Sequence, residues 1–189
     1  ERPLGDPVAL VPYRPPLERY RSAALTVLRS FEVRIDVVTT ADSAGVLVAH
    51  GDQGGGYLVA IDGGAPLVSY NAYGRMHRAR GAALAPGVHR LVLRMAEQDD
   101  LRWSVELEVD GAAGVRIPSV PMLLGMAPFT GISVGYDYGG PVDWELYERH
   151  RSYRFDGPAL VVRYLPGARS AHDVTELREI DRQVARVAD

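Results

Sequence analysis

In "RSFEVRIDVVTT", which begins at Arg29, Phe31, Val33, Ile35 and Val37 alternate with Glu32, Arg34 and Asp36. Successive side chains of a strand point to opposite faces, so a period of two writes one apolar and one charged face and predicts a half-buried strand. Short β-like runs recur after it: "GVLVAH" from 45, "GYLVAID" from 56, "PLVSYN" from 66, "VHRLVLRM" from 88, "RWSVELEVD" from 102, "TGISVGY" from 130 and "GPALVVRYL" from 157. Turn signals stand between several of them, at Gly63-Gly64, Pro86-Gly87 and Asp110-Gly111. Short strands joined by tight turns predict an all-β fold, an antiparallel sandwich of two sheets.

The two ends break this rhythm. The first twenty residues hold five prolines and no periodicity, which predicts an extended lead-in or linker over 1–22, ahead of a sandwich over 23–168. In the closing "HDVTELREIDRQVARVAD", Val174, Leu177, Ile180, Val184 and Val187 fall on one helical stripe, with Asp173 as N-cap and Glu176 three residues on. Arg178, Arg182 and Arg186 load the later turns, where cations suit the helix dipole. One amphipathic helix over 169–189 is expected, packed back on the sandwich or docked on another domain or subunit. The chain starts at Glu1 with neither methionine nor a basic-then-apolar leader, so a processed form or a piece of something longer is expected.

Composition excludes several function classes. At 189 residues and 47 % hydrophobic content the chain can build one substantial core. A net charge of -3 without a basic cluster argues against a general affinity for nucleic acid. All 21 basic residues are arginine, which removes Schiff-base chemistry. Cysteine is absent, so there is no disulfide framework, thiol nucleophile or zinc ribbon, and the compartment stays open between cytoplasmic and exported. The least polar stretch, "VPMLLGMAPFTGISVG" from Val120, is broken by Pro121, Pro128 and glycines and is too short for a membrane helix, so the chain is expected to be soluble.

The candidate motifs point mostly to structure. "GDQGGGYLVAIDGG", residues 51–64, lacks the lysine and the following helix that a phosphate loop needs, and its glycines read as hairpin corners. "GISVG" matches the G-x-S-x-G of hydrolases around Ser133, but Ile132 and Val134 alternate as in a strand and no helix follows. Glu106, Glu108 and Asp110 share one face of a strand, where alternate carboxylates stand about 6 to 7 Å apart, near the spacing of a glycosidase pair. A solvated strand face opposite Trp103, Val105, Leu107 and Val109 explains the same pattern, and Asp110-Gly111 ends the strand. The histidines at 50, 77, 89, 150 and 172 show no metal-ligand spacing, and none is an obvious general base. The tyrosines are more suggestive. Tyr70, Asn71 and Tyr73 end one strand, while Tyr136, Asp137, Tyr138, Trp144 and Tyr147 crowd a loop with Gly139-Gly140-Pro141. Rings beside a carboxylate and an amide suit a sugar or aryl pocket, and they equally suit a rim that packs on another domain.

Taken in order, "GVLVAHGDQGGGYLVAIDGG", "PLVSYNAYG", "LAPGVHRLVLRM", "VELEVDGAAGVRIPSVP", "FTGISVGYDYGGPV" and "YRFDGPALVVRYLPG" resemble the C-terminal domain of bacterial arylsulfatases over residues 29 to 165. The resemblance implies a concanavalin-A-like or laminin-G-like jelly roll that follows a catalytic domain, packs on it and shapes the approach to its active site. It implies formylglycine and calcium in the parent enzyme, made and bound elsewhere. The [CS]-x-P-x-R motif that carries formylglycine has no copy here, since Ser119-Val120-Pro121-Met122-Leu123 ends in leucine. No cofactor and no catalytic residue is expected in this chain. The alternatives are a free-standing carbohydrate-binding module using Tyr70, Asn71, Tyr73, Asp137, Tyr138 and Trp144, and a sandwich glycosidase using Glu106 and Glu108.

Overall fold

The computed structural model describes residues 6–124 and 127–170. In chain order the elements are β1 (Val8–Leu10), α1 (Arg19–Thr26), β2 (Arg29–Thr39), β3 (Gly45–Asp52), β4 (Gly55–Asp62), β5 (Ala65–Ala72), β6 (Arg75–Arg80), β7 (Gly87–Gln98), β8 (Arg102–Val109), β9 (Ala112–Pro121), β10 (Ile132–Val134), α2 (Trp144–His150) and β11 (Ala159–Arg169). The strands form a six-stranded sheet, ordered β1-β11-β2-β7-β8-β9, and a five-stranded sheet, ordered β10-β3-β4-β5-β6. All neighbouring strands are antiparallel. This is the two-sheet sandwich that the alternating runs predict, and each of those runs lies in a strand.

The core fills the space between the sheets. Phe31, Val33, Ile35 and Val37 of β2, Leu91, Leu93 and Met95 of β7, and Trp103, Val105 and Leu107 of β8 face Tyr57, Val59 and Ile61 of β4 and Val68 and Tyr70 of β5. Every second side chain of β2 is buried, whereas β3, β4 and β5 are buried throughout. A strand buried throughout needs cover on both faces. That cover comes from residues 142–153: Val142, Leu146 and Tyr153 pack on Val46, Ala49, Leu58, Ala60 and Leu67 across the outer face of the five-stranded sheet. A bulge in β3 between Val46 and Val48 lets Leu47 and Val48 both reach the inner core while Val46 and Ala49 turn outward.

The described part of the proline-rich lead-in belongs to the fold. Val8–Leu10 add an edge strand to β11, and the boundary expected at residue 22 falls inside α1. That helix is N-capped by Glu18, whose carboxylate accepts from the Tyr20 and Arg21 amides, a longer side chain than the usual capping residues. Ser22 fastens it: its Oγ donates to the Leu17 carbonyl and accepts from the Ile132 amide. The C-terminal helix expected over 169–189 lies outside the described residues beyond 170, where Arg169 still belongs to β11. No described helix is long and apolar enough to cross a membrane.

Residues 51–64 are hairpin corners. Gly51 and Gly55 flank the β3–β4 turn and Gly63-Gly64 make the β4–β5 turn with positive φ.

Candidate functional site

Sequence predicts a loop around Trp144, and the structure places a helix there instead. Asp143 is its N-cap, accepting from the Leu146 amide, while Glu145 lies in the first turn and Arg149 and His150 in the last, each on the side that the helix dipole favours. Asp143 is also the point at which α2 is fixed to the sheet. Its carboxylate takes two parallel hydrogen bonds from Arg78 of β6, 2.7 and 2.8 Å long, and one from the Ser69 hydroxyl of β5. Burial opposes its ionisation, but the Arg78 and Ser69 donors outweigh this and hold Asp143 below the usual carboxylate range.

The far end of α2 is held by Asp62 at the end of β4. That buried carboxylate meets Arg80, Arg149, His150 and the Tyr153 hydroxyl. Burial again pushes its pKa up, and the charges of Arg149 and Arg80 bring it down to a net value below normal. The His150 and Tyr153 rings stack with centroids 4.0 Å apart.

A cleft of about 150 Å³ opens between α2, the loop before it and the segment after it, and it is lined by residues that include Asp137, Pro141, Tyr147, Arg151 and Tyr153. Gly45 fixes one wall. Its φ is +118°, and a Cβ there would stand 2.3 Å from the Arg154 carbonyl, so only glycine lets β3 run against the 151–155 segment. Asp137 is the unusual member. Its Oδ2 accepts from the Val142 amide at 2.8 Å, while its Oδ1 is buried without a hydrogen-bond partner. Burial pushes the Asp137 pKa up to about 7; the Val142 amide pulls the other way, and the charges of Asp52 and Asp143 add to the rise.

Rings flank the cleft. Trp144 is 51 % exposed and its ring lies 5.5 Å from that of Tyr147, over which the Arg151 guanidinium sits at 5.6 Å. On the side of the preceding loop Tyr138, also 51 % exposed, meets Tyr136 edge-on at 6.0 Å, and Arg154 lies over Tyr136. Helical spacing puts Trp144 and Tyr147 on one stripe, and Arg151 follows as the residue that ends the helix.

Of the residues singled out by sequence, Asp137 lines the cleft, while Trp144 adjoins it only through the ring of Tyr147 and Tyr138 lies in the loop between the lining residues Asp137 and Gly139. Tyr70 does not line it. It is fully buried on the inner face of β5, with its hydroxyl donating to the Pro121 carbonyl. Asn71 faces outward but is consumed in holding loops: its amide nitrogen donates to the Gln53 and Val142 carbonyls and its oxygen accepts from Gly74. Tyr73, half exposed at the β5–β6 turn, exchanges hydrogen bonds with the Leu124 main chain. Arg78, Asp62, Arg151 and Tyr153 are absent from the sequence expectation. The one local sign was Asp143 ahead of Trp-Glu-Leu, an N-cap pattern that places α2.

The other candidates read as structure. Ser133 is buried in β10 and its Oγ donates to the Tyr136 carbonyl. Glu106 and Glu108 line a wider hollow of about 380 Å³ on the outer face of the six-stranded sheet, but Arg116 pairs with the first and Arg94 with the second. His50 is in the core, where burial pushes its pKa down to about 3 and leaves it neutral. His77 lies on β6 and His89 bonds Asp110 and the Ala85 carbonyl, while His172 is outside the described residues. Among the described residues no group of three or more His, Cys, Asp or Glu is placed to hold a metal ion.

No protein-family model and no curated protein matches the chain. Solved structures do match it in shape. The CBM40 domain of the Ruminococcus gnavus IT-sialidase, bound to α2,3-sialyllactose, superposes with a TM-score of 0.60 at 11 % identity, over 93 % of this chain and 95 % of that one. The leech intramolecular trans-sialidase gives 0.57 at 11 % identity, over 91 % of this chain and 26 % of that one. The LG1-3 region of the laminin α2 chain gives 0.53 at 13 % identity, over 87 % of this chain and 32 % of that one. At these identities the likeness establishes the fold, a concanavalin-like jelly-roll sandwich, and these comparisons do not link the chain to an arylsulfatase.

Proposed function

We propose that the chain is a non-catalytic carbohydrate-binding module whose site is the cleft beside α2. The observation that carries this reading is the pairing of an aromatic platform, exposed Trp144 beside half-buried Tyr147, with a carboxylate, Asp137, whose buried Oδ1 has no hydrogen-bond partner. A pyranose presents a C–H face that stacks on rings and hydroxyls that donate to carboxylates, so the two features bind different parts of one ligand. The fold adds support, since a domain of the same shape and nearly the same extent is a sialidase carbohydrate-binding module. The test is a glycan array probed with this chain and with Trp144→Ala. Hits that disappear in the variant support the module, and an array without hits, or with hits the variant retains, removes it.

A second reading has its own observation. The ordered motifs over residues 29 to 165 resemble the accessory domain of an arylsulfatase, and "GYDYGGPV" among them builds the Asp137 wall of the cleft. In that reading the Trp144 and Tyr138 rim docks on a sulfatase catalytic domain. A [CS]-x-P-x-R motif encoded upstream of Glu1, together with Trp144 shielded from quenchers in the intact protein, favours docking; a quenchable Trp144 there removes it.

A further inference from the structure

We infer that the cleft beside α2 selects a sugar bearing a protonated amine, with Asp137 as the counter-charge and the rings of Tyr147 and Tyr153 as walls. The inference rests on the carbohydrate-binding reading and names its ligand class. A carboxylate withdrawn from water without a compensating donor is unfavourable in its ionised form. Asp137 is in that position because the Val142 amide satisfies Oδ2 and nothing satisfies Oδ1.

The other carboxylates nearby are already engaged: Asp52 accepts from Gly54 and Thr130, and Asp143 is held by Arg78 and Ser69. Arg151 lines the same cleft as a cation with its guanidinium over the Tyr147 ring, so it opposes the ammonium that Asp137 attracts and Asp137 has to outweigh it. Asp52 and Asp143 both disfavour further negative charge at Asp137. A sugar carboxylate would add to that repulsion, and an N-acetyl group would bring bulk without charge. An ammonium group instead supplies the missing donor and the missing charge together, and aromatic walls favour a cation. The terminal torsion of an aspartate is soft and one amide alone holds this one, so Oδ1 can turn to a donor entering the cleft.

The binding reaction balances in protons. An ammonium ion pairs with ionised Asp137, so at pH 6, below the value of about 7 for the empty cleft, Asp137 must lose its proton to solvent. Calorimetric titration of the whole chain with a β-1,4-linked glucosamine tetramer, its fully N-acetylated form and α2,3-sialyllactose tests this. The titration is run at pH 6 in two buffers of different ionisation enthalpy. The glucosamine tetramer is expected to bind at least ~10-fold more tightly than the other two, with a net release of protons to the buffer. Asp137→Asn, whose side-chain oxygen can still accept from Val142, is expected to abolish preference and proton release while a folded thermal transition persists. Equal or weaker binding of the glucosamine form, or proton release that survives in the variant, overturns the inference. Trp144-dependent binding confined to the acetylated or sialylated sugar overturns it and leaves the module reading standing. No binding by any of the three, together with an empty array, removes both.

Discussion

Arg78 and Asp143 meet through two parallel hydrogen bonds, Nε to Oδ2 at 2.7 Å and Nη2 to Oδ1 at 2.8 Å, so one guanidinium fixes both the N-cap of α2 and the edge strand β6. The Asp143 side chain is only 1 % exposed, against 30 % for Arg78. Removing the cation would strand the buried carboxylate. Arg78→Met is expected to lower stability by about 3 kcal/mol or more, read as a fall in the urea midpoint with unchanged slope. The pair also sets an acid limit. Because the folded value of Asp143 lies below its unfolded value of about 4, its contribution is complete above that pH and is lost as the pH falls through the folded value. Asp143→Asn should flatten the stability profile below about pH 4, and an unchanged acid slope would count against this ionic tie.

How far the sequence reveals this arrangement depends on the period of the pattern. β2 announces itself because one of its faces meets the core and the other carries Glu32, Arg34 and Asp36. β6, "RMHRAR", has no such signal, since its outward arginines are spent on Asp143 and Asp62 and none of its residues is fully buried. The register of β9 with β8 shifts twice, once across Pro118–Ser119 and once at Gly114, which blurs alternation in the same way. α2 is only seven residues long, too short for a helical period to stand out, and its apolar anchor is the single buried residue Leu146. For the site, the ring composition near Asp137 was legible, but the partition between core and rim was not. Tyr70 and Tyr138 look alike in sequence, but Tyr70 points into the core from β5 while Tyr138 stands exposed in the loop between β10 and α2.

Asp137 gives a stability profile of opposite sign. Its folded pKa of about 7 lies above an unfolded value of about 4. The folded state therefore binds more protons between these limits, and this group's contribution is complete below about pH 4 and lost as pH rises to about 7. Asp137→Asn should remove that decline and be the more stable form at pH 8, as measured by urea midpoints across pH 4 to 8. A variant that is equally destabilised at every pH would show that the carboxylate is not titrating in this range.

Trp144 and Leu146 sit two residues apart on α2 and should separate binding from folding. Trp144 is 51 % exposed and Leu146 is 2 % exposed in the small core under the helix. Trp144→Ala is expected to shift stability by less than about 0.5 kcal/mol while abolishing sugar binding. Leu146→Ala should cost about 2 to 4 kcal/mol through the cavity it leaves. A large stability loss in the tryptophan variant would mean that its ring is part of the packing instead.

Glu106→Gln tests the ionic outer face of the six-stranded sheet. Its partner Arg116 is 62 % exposed, and an exposed pair of this kind contributes at most about 1 kcal/mol. Sugar binding is expected to be unchanged, in a titration with whichever oligosaccharide the wild type takes. A loss of binding would move the site from the α2 cleft to the hollow between β8 and β9.

Tyr57 of β4 and Tyr164 of β11 join the two sheets through the core, with hydroxyl oxygens 3.0 Å apart and both side chains fully buried. Burial raises both phenol pKa values, so each ring stays neutral and the bond is one between neutral groups. A single Tyr57→Phe leaves the Tyr164 hydroxyl without this partner and is expected to cost about 1 to 3 kcal/mol. Tyr57→Phe with Tyr164→Phe removes donor and acceptor together while keeping the rings that pack on Phe31. The double variant should therefore be less destabilised than the sum of the two single ones, by about 1 kcal/mol or more in a double-mutant cycle. Strict additivity would mean that the two hydroxyls do not sense each other across the sandwich, and that the sheets are joined by ring packing alone.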